Sequence, residues 1–248
     1  NGYSLFLVIT LSCRSSIHFH RVISSIMPNL LAIDTSTEAC SVALLFDDDI
    51  TEDYRLAPRQ HMKLVLPMVD QLLADAGVSL KQLDAVVFGQ GPGSFTGLRV
   101  ACGVVQGICF GSDLPAIGIS TLAAMAQRAY RLRNAEFVMS AIDARMDEVY
   151  WGVYQNEHGL MKPVIDEMVI APVQVIAPQI PDDLMVMGVG TGWRFAEDLT
   201  RGLGVKVENY EEEFFPQTQD MLRLAQDLWH KKALLSAQQV QPVYLRNT

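Results

Sequence analysis

Histidine is scarce in this chain, with five in 248 residues. Beyond residue 26 only His61, His158 and His230 remain, far apart and in neither H-x-x-x-H nor H-E-x-x-H spacing, so no zinc or iron site of that kind is readable. Cysteine is equally sparse. Cys13, Cys40, Cys102 and Cys109 contain no C-x-x-C pair, which excludes zinc-ribbon and dithiol redox motifs. Cys102 and Cys109 are seven apart and fall on one helical face, where buried free thiols are expected, in keeping with a reducing compartment. There is no G-x-S-x-G nucleophile elbow and no G-x-x-x-x-G-K-[ST] phosphate loop. Positive charge is also in short supply: 19 Lys and Arg face 28 Asp and Glu, a net charge of -9. Such a surface disfavours non-specific grip on a phosphate backbone, so a nucleic-acid substrate would be held by another protein.

Residues 1–26 lack acid altogether and carry Arg14 and Arg21. Their apolar run, Leu5 to Leu11, imitates the core of a signal peptide, but no basic segment precedes it and no small-residue cleavage site follows. It is too short to span a bilayer. Met27 stands just before a clean strand, and residues 1–26 are expected to be a non-native or disordered extension. Half of the sequence is hydrophobic, enough for a substantial core, while 17 Gly and 11 Pro are ordinary numbers.

From there the pattern alternates. Leu30 to Asp34, Cys40 to Phe46 and Ile50 to Leu56 read as strands joined by tight polar turns. His61 to Ala76 has apolar residues at helical spacing, with Gly77 as its stop. Asp84 to Phe88 is a short apolar strand, followed by a Gly-rich loop and a helix to about Phe110. Pro115 to Ile119 is a strand and Thr121 to Arg131 a helix. A second unit begins with a hairpin, Glu136 to Ile142 and Glu148 to Tyr154, about the polar turn Asp143 to Asp147. Strands near Val164 to Ile170 and Leu184 to Met187 follow, then a helix from Thr218 to Lys232. The expectation is an α/β protein of mixed sheets covered by helices, in two lobes: residues 27–133, and a smaller lobe of residues 134–248 that includes the C-terminal helix.

The strongest local signal is Gly91-Pro92-Gly93-Ser94-Phe95-Thr96-Gly97-Leu98-Arg99, set between a strand and a helix. Glycines there let the backbone approach an anion at a helix N-terminus, and Ser94 and Thr96 can cap the helix or bond a phosphate. The plainer reading is a tight, well-capped turn. Asp34-Thr35-Ser36 ends the first strand and admits the same two readings: a carboxylate facing a metal–phosphate, or ordinary turn chemistry. The helix after the loop has Gly103, Gly107 and Gly111 at intervals of four. Each costs about 1 kcal/mol relative to alanine, so either internal packing or a helix-to-helix subunit contact compensates. Asp143 and Arg145 are candidates to reach the cleft between lobes, with Asp147 a solvated turn residue. Gly188 to Trp193 is a second, weaker Gly-rich turn.

Leu31-Ala32-Ile33-Asp34-Thr35-Ser36, the run from Gly91 to Arg99, Asp143-Ala144-Arg145-Met146 with Glu148-Val149-Tyr150, and Pro242-Val243-Tyr244-Leu245-Arg246 together resemble the TsaB (YeaZ) family, over Met27 to Arg246. That resemblance implies the two-lobed actin-like (ASKHA, ribonuclease H-like) fold. It implies a role in forming N6-threonylcarbamoyladenosine at position 37 of tRNAs that read codons starting with A. The implied role is that of a cytoplasmic, non-catalytic subunit which binds and activates the transferase TsaD through first-lobe helices. The ATPase TsaE joins that complex, the subunit alone forms a homodimer, and tRNA is contacted indirectly if at all. Leu64, Met68, Leu72, Val100, Gly103, Val104 and Gly107 are the expected partner-facing positions. TsaD places two metal-binding histidines after a Pro-Ala-Ile strand, where this sequence has Thr121 and Met125, which implies no metal. Asp34 lacks the following glycine of D-x-G-[ST], so no cofactor of its own is expected beyond weak or shared ATP/ADP binding in the complex. Two alternatives remain, a metalloprotease-like (glycoprotease) enzyme and an ASKHA small-molecule kinase. Chelator-sensitive cleavage would mark the first and ATP turnover by the isolated chain the second.

Overall fold

In the computed structural model, residues 27–176, 178–180, 185–204, 207 and 209–246 are described. The expectation for residues 1–26 lies outside them. Strand β1 (Leu30–Asp34) is buried at all five positions. It is flanked on both edges, antiparallel to β2 (Ala39–Phe46) and parallel to β4 (Ala85–Gly91). With β3 (Asp49–Leu56) and β5 (Ala116–Ser120) the sheet order is β3-β2-β1-β4-β5. β1 and β4 are apolar on both sides, so both faces of this sheet need a cover.

On one face lie α1 (His61–Ala76) and α2 (Phe95–Ser112), whose Val65, Met68, Cys102 and Val105 pack against Leu31, Ile33, Val42 and Val86. Gly77 ends α1 in the left-handed conformation at φ 65°. The opposite face is covered by the C-terminal helix. Met221, Leu222 and Ala225 pack there on Leu30, Ala32, Ala85 and Val87.

The second sheet has the order β11-β10-β6-β7-β8, with β9 added to β7. Its centre is the antiparallel hairpin of β6 (Phe137–Arg145) and β7 (Glu148–Glu157). Around it lie β8 (Leu160–Pro163), β9 (Met168–Ile170), β10 (Val186–Val189) and β11 (Tyr210–Glu211). Of the strand expected between Val164 and Ile170 only Met168–Ile170 forms, and β8, just before that span, was not expected. Helix α3 (Thr121–Arg133) inserts Leu122, Met125, Ala126 and Ala129 against Val138, Met187 and Val189. The far side holds Trp151 and Trp193 with Leu199 and Leu203 of α4 (Ala196–Leu203).

The boundary between lobes is thus not a cut in the sequence. The C-terminal helix α5 (Thr218–His230), expected with the second lobe, lies on the first sheet, and α3, expected with the first, packs mainly on the second. Each sheet needs a helix on its inner face, and the chain supplies it by exchange. α3 and α5 also grip one another: Arg131 holds Asp220 bidentately at 2.8 and 2.9 Å, and Arg128 Nη1 donates to the Phe215 carbonyl at 2.6 Å.

Candidate functional site

β1, β4 and β5 run in one direction, and their C-terminal ends bring together Asp34, Gly91 and Ser120. Asp34 is only 1% exposed. Its carboxylate accepts the Ser36 N–H and the Ser36 hydroxyl, each at 2.8 Å. Burial outweighs those bonds and pushes its pKa up to about 6.

The Gly-rich loop is closed down onto this turn. Ser94 N–H donates to the Ser36 carbonyl at 2.7 Å, and the Thr35 hydroxyl donates to the Gly97 carbonyl at 2.7 Å. A Cβ at Gly93 would overlap the Ser36 carbonyl, one at Gly97 the Thr35 carbonyl, and one at Gly89 the Asp34 carboxylate. Ser94 caps α2 through its hydroxyl, which accepts the Gly97 N–H at 3.4 Å. Of the two sequence readings, packing therefore accounts for Gly93 and Gly97. They bring two segments of this chain into backbone contact, and the Ser94 amide is engaged within the protein.

The outward side of the loop is different. Phe95, Thr96 and Arg99 are exposed. The Arg99 guanidinium lies 3.7 Å over the Phe95 ring, and the Tyr244 ring is 5.8 Å from that of Phe95. Tyr244 arrives from the C-terminal segment, whose Val243 N–H donates to the Gln90 carbonyl at 2.8 Å. Residues 243 and 244 were legible only as part of a motif, because nothing local in Pro242 to Arg246 says which loop it will cross.

Asp143 and Arg145 sit at the β6–β7 tip. Asp143 Oδ2 is 3.0 Å from Arg194 Nη1 and 3.4 Å from Arg145 Nη1, so these two cleft candidates form an ion cluster within the second lobe. In the second Gly-rich turn, Gly188 leaves room for the Trp193 indole and Gly192 for Ala141. Trp193 Nε1 donates to the Met139 carbonyl at 2.9 Å, so that turn is a packing device.

The α2 stripe faces outward. Gly103, Gly107 and Gly111 are each open, with nothing within 4 Å of where a Cβ would stand. Internal packing does not explain them. By length and composition α2 is apolar enough to cross a membrane, yet only 33% of it is buried within the protein. Phe110 beside the stripe is 80% exposed, and α1 adds Met62 and Leu66. Among the expected partner-facing residues, Leu64, Leu72, Val100 and Val104 are half-buried. Met68 is corrected: it belongs to the core, because it shares the buried side of α1 with Val65 and Val69. Met62, Leu66 and Phe110 were missed, although Met62 and Leu66 at i, i+4 already mark a second apolar side on α1.

Comparison with known proteins bears on the same fold. The family model for TsaD, tRNA N6-adenosine threonylcarbamoyltransferase, matches residues 54–214. The tRNA threonylcarbamoyladenosine biosynthesis protein TsaB of Haemophilus influenzae is 45% identical over 230 residues, spanning 88% of this chain and 93% of that protein. The Escherichia coli protein of that name is 42% identical over 221 residues, spanning 88% and 94%. The solved structure of YeaZ from Pseudomonas aeruginosa superposes with a TM-score of 0.83 at 46% identity, covering 88% of this chain and all of that one. The chain belongs to the TsaB family. Its fold is accordingly the two-lobed actin-like one.

In this TsaB-family chain, Thr121 and Met125, which the resemblance sets against the transferase's histidines, are fully buried. Met125 lies in the core beside α3's other apolar residues, and the Thr121 hydroxyl has no hydrogen-bond partner. A hydroxyl and a thioether there do not fit a divalent cation. Among the described residues no group of three or more His, Cys, Asp or Glu is placed to hold one. The thiols are also inert: burial pushes Cys40 up to about 12 and Cys102 and Cys109 up to about 11.

Proposed function

We propose that this chain acts in tRNA threonylcarbamoyladenosine biosynthesis as a non-catalytic subunit that docks the transferase TsaD with the outer face of α1 and α2 and holds it in its active form. The observation that carries this reading is the α2 stripe: three open glycines on an apolar helix only a third buried, bordered by Phe110, Met62 and Leu66. Open helical glycines lower stability in isolation but permit the close approach of another helix. A second copy of the chain uses this face when TsaD is absent. TsaE joins the complex, and the net charge of -9 leaves direct tRNA contact to the partner. The chain holds no nucleotide tightly by itself, because its Gly-rich loop is packed on the Asp34 turn.

Reconstitution with purified TsaD tests the assignment. The wild-type chain restores threonylcarbamoyl transfer, whereas Gly107→Arg, which meets no atom of its own fold, stays folded and loses binding at least about tenfold. Full transfer by TsaD without this chain, or unchanged binding by Gly107→Arg, overturns it.

A further inference from the structure

Two of the ties between the lobes differ in character. One is the contact of α3 and α5, where Asp220 is 2% exposed under Arg131 and Lys162 of β8 reaches Asp227 of α5 at 2.5 Å. The other is the C-terminal segment. Leu235 bridges to Ala116 by paired backbone bonds of 2.8 Å, and Gln106 Nε2 donates to the Val240 carbonyl at 2.8 Å, with Val240 fully buried. Beyond Val240 the chain crosses the end of β4, where Val243 bonds Gln90 and its carbonyl stands 3.0 Å from the position of a Cβ on Gly91. Tyr244 then meets Phe95 and Arg99 of the first lobe, and Arg246 pairs with Glu148, the first residue of β7 in the second.

We propose that residues 241–246 are a latch: they fasten the loop of the first lobe to the hairpin tip of the second, and the lobes open about the α3–α5 contact when the latch is released. The asymmetry of burial carries this. The α3–α5 contact is a bidentate ion pair whose carboxylate, Asp220, is 2% exposed while Arg131 is 35% exposed, and breaking it strands a buried charge. The latch consists of contacts open to water, with the Arg246 and Glu148 side chains 30% and 35% exposed. One segment, firmly held up to Val240 and weakly after it, touches both lobes at their adjacent ends. Its release would uncover Gly91, free the Phe95–Arg99 pair and untie Glu148 together, as hinge closure by a few contacts requires. The inference concerns motion within this chain and does not depend on what docks on α2.

Hydrogen–deuterium exchange on the full chain tests it, comparing wild type with Arg246→Gln and with Tyr244→Ala. Exchange should rise about 1.5- to fivefold at residues 91–97 and at residues 143–148 alike, with α3 and α5 unchanged, as expected for losing exposed contacts of this class. A rise confined to residues 242–246 overturns the proposal, as does a uniform rise that includes α3 and α5.

Discussion

Replacing Gly103 and Gly107 together by alanine separates what α2 needs for itself from what its surface is for. Both glycines lie inside an 18-residue helix, neither has a positive φ, and an added methyl group meets no atom within 4 Å. The only change within the folded chain is therefore in helix propensity, about 1 kcal/mol per exposed interior glycine, or ~2 kcal/mol for the pair. For a protein of this size each kcal/mol shifts Tm by about 2–4 °C, so the double variant should melt ~4–8 °C higher. Calorimetry at low protein concentration, where copies do not pair, reads this directly. The same variant should bind TsaD more weakly, because two methyl groups hold the partner helix away from the stripe. A Tm that stays put or falls would refute the placement of these glycines on an open face. A raised Tm with unchanged TsaD affinity would refute the face as the docking surface.

Gly97→Ala should destabilise by about 1–3 kcal/mol in urea denaturation, since its methyl collides with the Thr35 carbonyl, a backbone atom with little room to move. Asp34 has a folded pKa of about 6 against an ordinary 3.8, so the folded state holds its proton more tightly. Stability should therefore fall as pH rises from about 4 to about 6 and stay lower above it, by ~3 kcal/mol in full; Asp34→Asn should flatten that slope in a pH series of denaturation curves, and a slope that persists refutes the assignment. Asp220→Asn should cost about 2 kcal/mol, less than the removal of a fully buried partner because Arg131 is 35% exposed. Chemical denaturation measures it, and an unchanged midpoint would deny the α3–α5 contact its role.

Much of the local structure was readable before any coordinates. The continuous apolar runs of β1 and β2, the 3.6-period of α1 with Gly77 as its stop, and the strand–loop–helix setting of Gly91 to Arg99 follow from nearest-neighbour chemistry, and the structure keeps them with small shifts at the ends. β8 and the late start of β9 were not readable, because such short strands carry too few residues to display a period.

What the sequence determined by itself is the longer elements and the absence of metal-ligand spacings, since both depend on residues a few positions apart. The tertiary structure alone decided which partner each element meets: that Met68 turns inward while Gly103 and Gly107 turn outward, that α5 crosses to the first sheet, and that Gly93 and Gly97 make room for Ser36 and Thr35. It also carried Tyr244 145 positions back along the chain to Arg99. Burial and close approach are properties of pairs of surfaces, and a one-dimensional pattern specifies a surface without naming the one that covers it.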